Sequence, residues 1–196
     1  MNNIGDLLAK IEDLSAVDGL SNGLRNTIGS ALDNSTGEAL RGDWLGHAAH
    51  PMLVGIPIGA WLGVTALDMT GAHKGARTLT GLGLLSVPAV VATGWADWST
   101  LNTRQRRVGL VHAVSNGTGI AIMATSYRKR RKNPASIGAK ALTLLGNCAI
   151  GIGGALGGYL VYNQGARVSR TTDATNATGP EFDSAQLPDA MAKASQ

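Results

Sequence analysis

The sequence predicts an all-α integral membrane protein, in which an up-down bundle of four spanning helices follows amphipathic N-terminal helices and precedes a disordered polar tail. The first observation behind this prediction is the distribution of charge. Four long segments contain no Asp, Glu, Lys or Arg, namely residues 44–67, 78–96, 108–127 and 141–166. The second is composition, because the 196 residues include 27 Gly and a single Phe, and membrane helices favour small residues where they touch.

Residues 1–42 are predicted to form an amphipathic arm before the bundle. Apolar residues recur there at helical spacing, at Ile4, Leu7, Leu8, Ile11, Leu14, Leu20, Leu24, Ile28 and Leu32. Charged residues fill the other face, which is typical of amphipathic helices, and interior glycines keep those helices short. Two interpretations are open: helices that lie on the membrane surface or over the bundle mouth, and a frayed arm.

Residues 43–168 form the membrane domain, with spans predicted at about residues 50–69, 78–97, 107–127 and 140–163. Each charge-free segment is close to the length of about 20 residues that crosses the hydrocarbon core. Pro57 and Pro88 fall inside spans, where neighbouring helices can satisfy the freed backbone groups. Short connections make successive helices antiparallel neighbours. Residues 169–196 are rich in Thr, Ala, Ser, Asn and Asp, a composition that predicts disorder.

Glycines repeat every four residues on two of the spans, at Gly55, Gly59 and Gly63 and at Gly154 and Gly158. This spacing gives a helix face without side-chain bulk, against which a second backbone can pack closely. Packing within the chain is the preferred interpretation. A homo-oligomer that forms through these Gly-rich faces is the alternative.

The positive charge indicates a lipid bilayer as partner and not a nucleic acid. The net charge is +4, but the basic excess is concentrated in residues 128–132, directly after the third span, where a cytoplasmic flank carries it. The connections after spans one and three hold more Lys and Arg than the opposite side. This bias predicts extracytoplasmic termini for a protein of the inner (plasma) membrane. The single cysteine, Cys148, excludes an internal disulfide framework and an iron–sulfur cluster within this chain.

Antiparallel threading brings the starts of spans one and three together with the ends of spans two and four. That end collects the candidate cofactor-binding residues, which are His47, His50, Asp97, His112, Asn116 and Tyr159. His112 lies roughly 7 Å inside its span at helical rise, and Asn116 is one turn deeper on the same face. Polar groups at that depth normally face the bundle interior and have partners. Both an interhelical hydrogen bond of purely structural value and a ligand or redox-cofactor site are compatible with this position.

His50 and His112 are the candidate metal ligands, because they come from different helices near one level. Two neutral imidazoles approaching from opposite sides are the axial ligands that a b-type haem requires, and a quinone held by hydrogen bonds is the alternative cofactor. A zinc site that adds His47 and Asp97 to this pair ranks lower, because it would straddle a loop and three helices. Asp97 is also placed to orient a ligating histidine.

Several motifs of the membrane domain resemble those of one family. They are His50-Pro51-Met52-Leu53-Val54, Thr93-Gly94-Trp95-Ala96-Asp97-Trp98, Arg106-Arg107-Val108-Gly109-Leu110-Val111-His112-Ala113 and Gly157-Gly158-Tyr159-Leu160-Val161-Tyr162. These motifs occur in this order within about residues 38–168, and over this range the chain resembles the bacterial predicted membrane protein family called domain of unknown function 2231. The resemblance implies a four-span membrane domain, and the Rieske-type iron–sulfur domains fused to or encoded near relatives imply electron transfer. It also implies a histidine in relatives where this chain has Tyr159, which leaves His50 and His112 as the better pair.

Three functions are weighed on these observations. The first is a non-catalytic redox subunit that holds haem b or a quinone between helices and passes electrons to a Rieske-type or other redox protein. The second is a structural or assembly subunit without a cofactor. A small transporter ranks below both, because no charged residue lies at mid-span and no paired broken helices indicate inverted repeats. Hydrolase and metalloprotease spacings are missing from the sequence, so we expect no independent catalytic activity.

Overall fold

The computed structural model describes residues 3–168, and within them the regular structure is helical, with no strand. The part before the first long helix contains α1 (Asn3–Glu12), α2 (Asp18–Leu32), α3 (Ser35–Arg41) and α4 (Ala49–Leu53). It is followed by α5 (Gly55–Met69), α6 (His73–Trp98), α7 (Thr103–Lys132) and α8 (Ile137–Tyr162). The predicted polar tail, residues 169–196, lies outside the described residues.

Four helical segments are long and apolar enough to cross a membrane, namely Ala49–Met69 (α4 with α5), His73–Trp98, Thr103–Lys132 and Ile137–Tyr162. The prediction of an all-α protein with four apolar membrane helices is thereby confirmed. Helix α6 begins about a turn earlier than the predicted span, and α7 ends about a turn later. Helical hydrogen bonding continues past the last apolar residue of α7 because the basic residues of its last turn are favoured by the helix dipole.

The helices pack as two hairpins that contact each other. In the first hairpin, Trp61 of α5 donates to the carbonyl of Thr80 in α6, and Leu67, later in α5, lies against Gly75, earlier in α6. In the second hairpin, Ser126 of α7 donates to the carbonyl of Ala139 at the start of α8. In each hairpin the later part of the first helix therefore contacts the earlier part of the second, so the two helices run antiparallel. Helix α8 also packs on α5, and α6 on α7, so that each long helix has two neighbours.

The N-terminal arm covers one end of the bundle. Side chains of α1 and α2 pack on a buried cluster that includes Trp98, Val108 and Leu160; the arm residues are Leu8, Ile11, Leu24 and Ile28. Arg107 of α7 fixes the arm by donating to both carboxylate oxygens of Asp18, at 2.8 and 2.6 Å. These hydrogen bonds hold the pKa of the Asp18 carboxyl below its ordinary value. Of the two interpretations of the arm, the structure shows helices over the bundle mouth.

Among the repeated glycines the packing prediction is right for Gly63 alone, since Gly158 lies near only Tyr162 of its own helix. Gly63 lies against the side chain of Leu79, so α5 and α6 approach closely there. At Gly55, Gly59 and Gly154, in contrast, a Cβ would meet nothing within 4 Å. The prediction that these three pack within the chain is therefore wrong, because the four-residue spacing identifies a small-residue face without telling which face turns inward.

Candidate functional site

His50 is held by α6, across the first hairpin. It stands in the first turn of α4, and its Nδ1 lies 3.0 Å from the carbonyl oxygen of Val90. The opposing position on α6 is Gly94, where a Cβ would lie 2.8 Å from Cε1 of the imidazole. Only glycine leaves room for the ring at this distance, so the sequence of α6 provides both the acceptor and the space for His50.

His112 is held in the same manner by α8, across the second hairpin. Its Nδ1 lies 2.7 Å from the carbonyl oxygen of Gly153. A Cβ on Gly157 would lie 3.0 Å from Cε1 of the imidazole, and a Cβ on Gly153 would lie 2.4 Å from Nδ2 of Asn116. The glycines of α8 therefore make room for two polar side chains that α7 directs at them.

The two imidazoles meet between the hairpins. Their ring centroids are 6.3 Å apart, with an angle of 74° between the ring planes. Asn116 completes the group, because its Nδ2 donates to the carbonyl of His112 at 3.0 Å and lies 3.2 Å from Nε2 of the same residue. Of the residues that the sequence assigns to this end of the bundle, the structure brings His50, His112 and Asn116 together.

The hydrogen bonds of the pair fix the role of each ring nitrogen. A backbone carbonyl can only accept, so Nδ1 of His50 and of His112 must carry the proton. In a neutral imidazole the other nitrogen, Nε2, then keeps its lone pair. Histidines that bind metals commonly donate their second ring nitrogen to a backbone carbonyl in this way, which orients the ring and makes it more basic.

The remaining predicted site residues contact other groups. His47 is exposed in the loop before α4, with Nδ1 3.1 Å from the neighbouring Ala48 carbonyl. Asp97 forms an ion pair with Arg167, with Oδ1 and Nε 3.0 Å apart. The Tyr159 hydroxyl donates to Oε1 of Glu12 at 2.5 Å, which ties α8 to the arm.

The four-residue zinc set is not assembled in the structure. Within residues 3–168, no three or more His, Cys, Asp or Glu side chains are grouped so that they could hold a metal ion. The pair instead leaves one lone pair, on Nε2, for each histidine. The amide of Asn116 lies beside the ring of His112.

A second buried polar group, at the opposite end of the bundle, was not identified from the sequence. The guanidinium of Arg130 is fully buried and donates to both oxygens of Asp68, at 2.9 and 2.5 Å. It also donates to the hydroxyls of Thr143 and Ser126, at 2.9 and 3.3 Å. These contacts join α5, α7 and α8. The basic run 128–132 gives no sign of which member turns inward; the position of Asp68, an acidic residue at the end of a span, is the signal that could have indicated a buried cation.

Comparison with known sequences identifies the family. The family described as "Predicted membrane protein (DUF2231)" matches residues 46–170. The matched region contains the whole His50–His112–Asn116 group and the Asp68–Arg130 pair. No curated protein and no solved structure matched the chain. Because the match covers more than half of the sequence, in agreement with the motifs noted above, this chain belongs to the family described as "Predicted membrane protein (DUF2231)".

Proposed function

We propose that this protein is a non-catalytic redox subunit of the inner membrane, in which His50 and His112 ligate the iron of a b-type haem. The observation that supports the proposal is the imidazole pair: two rings from different hairpins, each anchored through Nδ1 to a helix carbonyl. These bonds occupy Nδ1 of each ring, which leaves the Nε2 lone pair of each ring for a metal.

The separation of the rings agrees with coordination of one metal by both. Metal–imidazole nitrogen bonds are 2.0–2.1 Å long, so two rings on one metal have centres about 6 Å apart. The observed separation is 6.3 Å. Two imidazoles that would hold one metal need not be coplanar, so the 74° between the rings is compatible with both binding it.

The hydrogen-bond polarity favours a haem iron over a quinone. Both Nε2 atoms are electron-pair donors, which suits a metal ion, whereas a quinone carbonyl needs a proton donor. Among the predicted site residues, only the Asn116 amide offers such a proton, and it already lies against His112. Coordination by His112 requires this amide to turn away from Nε2.

Electrons would leave the haem to a partner protein, of which a Rieske-type iron–sulfur protein is the class that the family resemblance implies. In this proposal both termini and the arm face away from the cytoplasm, as the distribution of Lys and Arg favours. A reporter enzyme that is active only outside the cytoplasm, fused after Gln196, tests the orientation.

The visible spectrum of the detergent-purified protein tests the haem assignment. We expect a Soret band, a shift of the α band after dithionite reduction, and haem in a pyridine extract, as isolated or after addition of hemin. The band should be lost in both His50→Ala and His112→Ala. His47→Ala is the matched control, because that histidine is exposed and contacts only its neighbour, and this variant should keep the band.

The competing function is an assembly subunit without a cofactor, and one observation favours it. Nδ1 of each histidine and the Asn116 amide already have partners inside the protein, so the group would join the helices even without a ligand. A stable protein that stays colourless with hemin, and whose histidine variants lose thermal stability alone, would support this function and end the haem proposal.

A further inference from the structure

A groove opens between α6 and α7, away from the histidine pair. Its volume is about 620 Å³, and its walls include Arg77, Gly81, Leu82 and Leu85 of α6 and Tyr127 and Arg131 of α7. The spacing of these residues along each helix explains why they share one surface. Residues four apart lie on one face of a helix, so Arg77, Gly81 and Leu85 form one stripe on α6, and Tyr127 and Arg131 form the facing stripe on α7.

The two arginines of the groove have no partner among residues 3–168: neither guanidinium makes a hydrogen bond or an ion pair there. No carboxylate lines the groove either. Arg130, the residue next to Arg131, is bound on all sides by Asp68, Ser126 and Thr143. One member of the basic run is therefore used inside the protein, whereas its neighbour offers its donors to a ligand.

The wall beyond the arginines is apolar and faces outward. The side chains of Leu82 and Leu85 are 53% and 77% exposed. Because Leu85 lies eight residues beyond Arg77, the apolar wall extends roughly 12 Å from the cations along the helix axis. Gly81 leaves room for the ring of Tyr127, which approaches to 3.0 Å of a Cβ placed there. The groove thus has a cationic mouth at the membrane edge and a hydrophobic wall toward the bilayer.

We infer that this groove binds an anionic phospholipid, whose phosphate lies between Arg77 and Arg131 and whose acyl chain follows Leu82 and Leu85. Guanidinium groups bind phosphate oxygens through paired, charge-assisted hydrogen bonds. Basic pockets between membrane helices are suited to anionic headgroups. The inference is independent of any cofactor at the histidines.

Native mass spectrometry of the full chain in detergent, with added phosphatidylglycerol or phosphatidylcholine, tests the site. We expect one phosphatidylglycerol to be retained in preference to phosphatidylcholine. The double variant Arg77→Gln/Arg131→Gln should reduce this occupancy about tenfold, because it removes at least one charge-assisted hydrogen bond to the phosphate. Because neither guanidinium makes a hydrogen bond or an ion pair within residues 3–168, the variant should keep its thermal stability.

The control is Arg128→Gln/Lys132→Gln, which removes the same charge from the same helix end at two exposed residues outside the groove. It should retain phosphatidylglycerol as the unmodified protein does. Equal loss in both double variants would show general attraction to a basic surface and overturn the inference. Equal retention of the two lipids, or displacement of phosphatidylglycerol by inorganic phosphate at equal concentration, would overturn it as well. Should the groove variant unfold, the single variant Arg131→Gln, at an exposed position, gives the same comparison.

Discussion

At one end of the bundle the buried polar groups are imidazoles bound to backbone carbonyls, and at the other end they are a guanidinium and a carboxylate bound to each other. In the Asp68–Arg130 pair both oxygens and most of the guanidinium donors are used. In the histidine pair one nitrogen of each ring is used for anchoring and the other keeps its lone pair. The comparison teaches that the first group is a structural link between helices, whereas the second retains atoms that can bind a ligand.

The largest effect is expected where the ion pair is broken. Arg130→Gln leaves the Asp68 carboxylate without its buried counter-charge, and loss of one partner of such a pair costs roughly 3–5 kcal/mol. The free energy of unfolding in mixed micelles measures this. Arg131→Gln is the control at the adjacent residue and should change stability by less than about 0.5 kcal/mol. Equal losses in the two variants would mean that Arg130 is not selectively bound.

An intermediate effect is expected at the glycines of α8 that face His112 and Asn116. In Gly153→Ala the new methyl would lie 2.4 Å from Asn116, so the Asn116 amide must give up its position or α7 and α8 must separate, at a cost of about 1–3 kcal/mol. Gly154→Ala, one residue further on an open face, should be neutral or slightly stabilising, because alanine favours the helix by up to about 1 kcal/mol. Thermal unfolding of the two variants makes the comparison, and a larger loss in Gly154→Ala would contradict the packing described.

The smallest effect is expected at the docked arm, and it depends on pH. The Asp18 carboxyl has a lowered pKa because Arg107 donates to it. The Asp18 carboxylate therefore makes its full contribution to docking above about pH 4, the ordinary pKa of an aspartate. This contribution is lost as the pH falls from there through the lowered pKa of the docked state. Protease cleavage between α1 and α2 should accelerate on acidification.

Asp18→Asn separates the effect of this carboxylate from that of Glu12 and Asp13, which lie beside the same contact. The variant should be cleaved faster than the unmodified arm at pH 7 and should respond less to acid. Unchanged cleavage of Asp18→Asn at pH 7 would show that Arg107 does not hold the arm through this carboxylate.

Much of the fold could be predicted because lipid imposes a simple constraint on sequence. A segment without charge that is long enough to cross the bilayer must satisfy its backbone internally, so the spans within residues 44–67 and the three similar segments were expected to be helical. The meeting of His50 with His112 also followed, since short connections make neighbouring helices antiparallel.

The rest of the site depends on contacts that spacing does not encode. Asp97 and Tyr159 were placed at the correct end, but their partners, Arg167 and Glu12, come from the segments that flank the bundle. No periodicity within a span indicates how a flanking segment folds back over it. The choice of Arg130 as the inward member of the basic run depends in the same way on the position of Asp68 across the bundle.

The docked arm also determines the distance between the imidazoles and water. Val108 belongs to the layer that α1 and α2 cover, and His112 lies four residues deeper on the same helix, or roughly 6 Å. A soluble protein that approaches from this side meets the outer surface of the arm and not the ends of the spanning helices. If the proposed haem is bound, the thickness of these two short helices would therefore add to the distance that an electron has to cross.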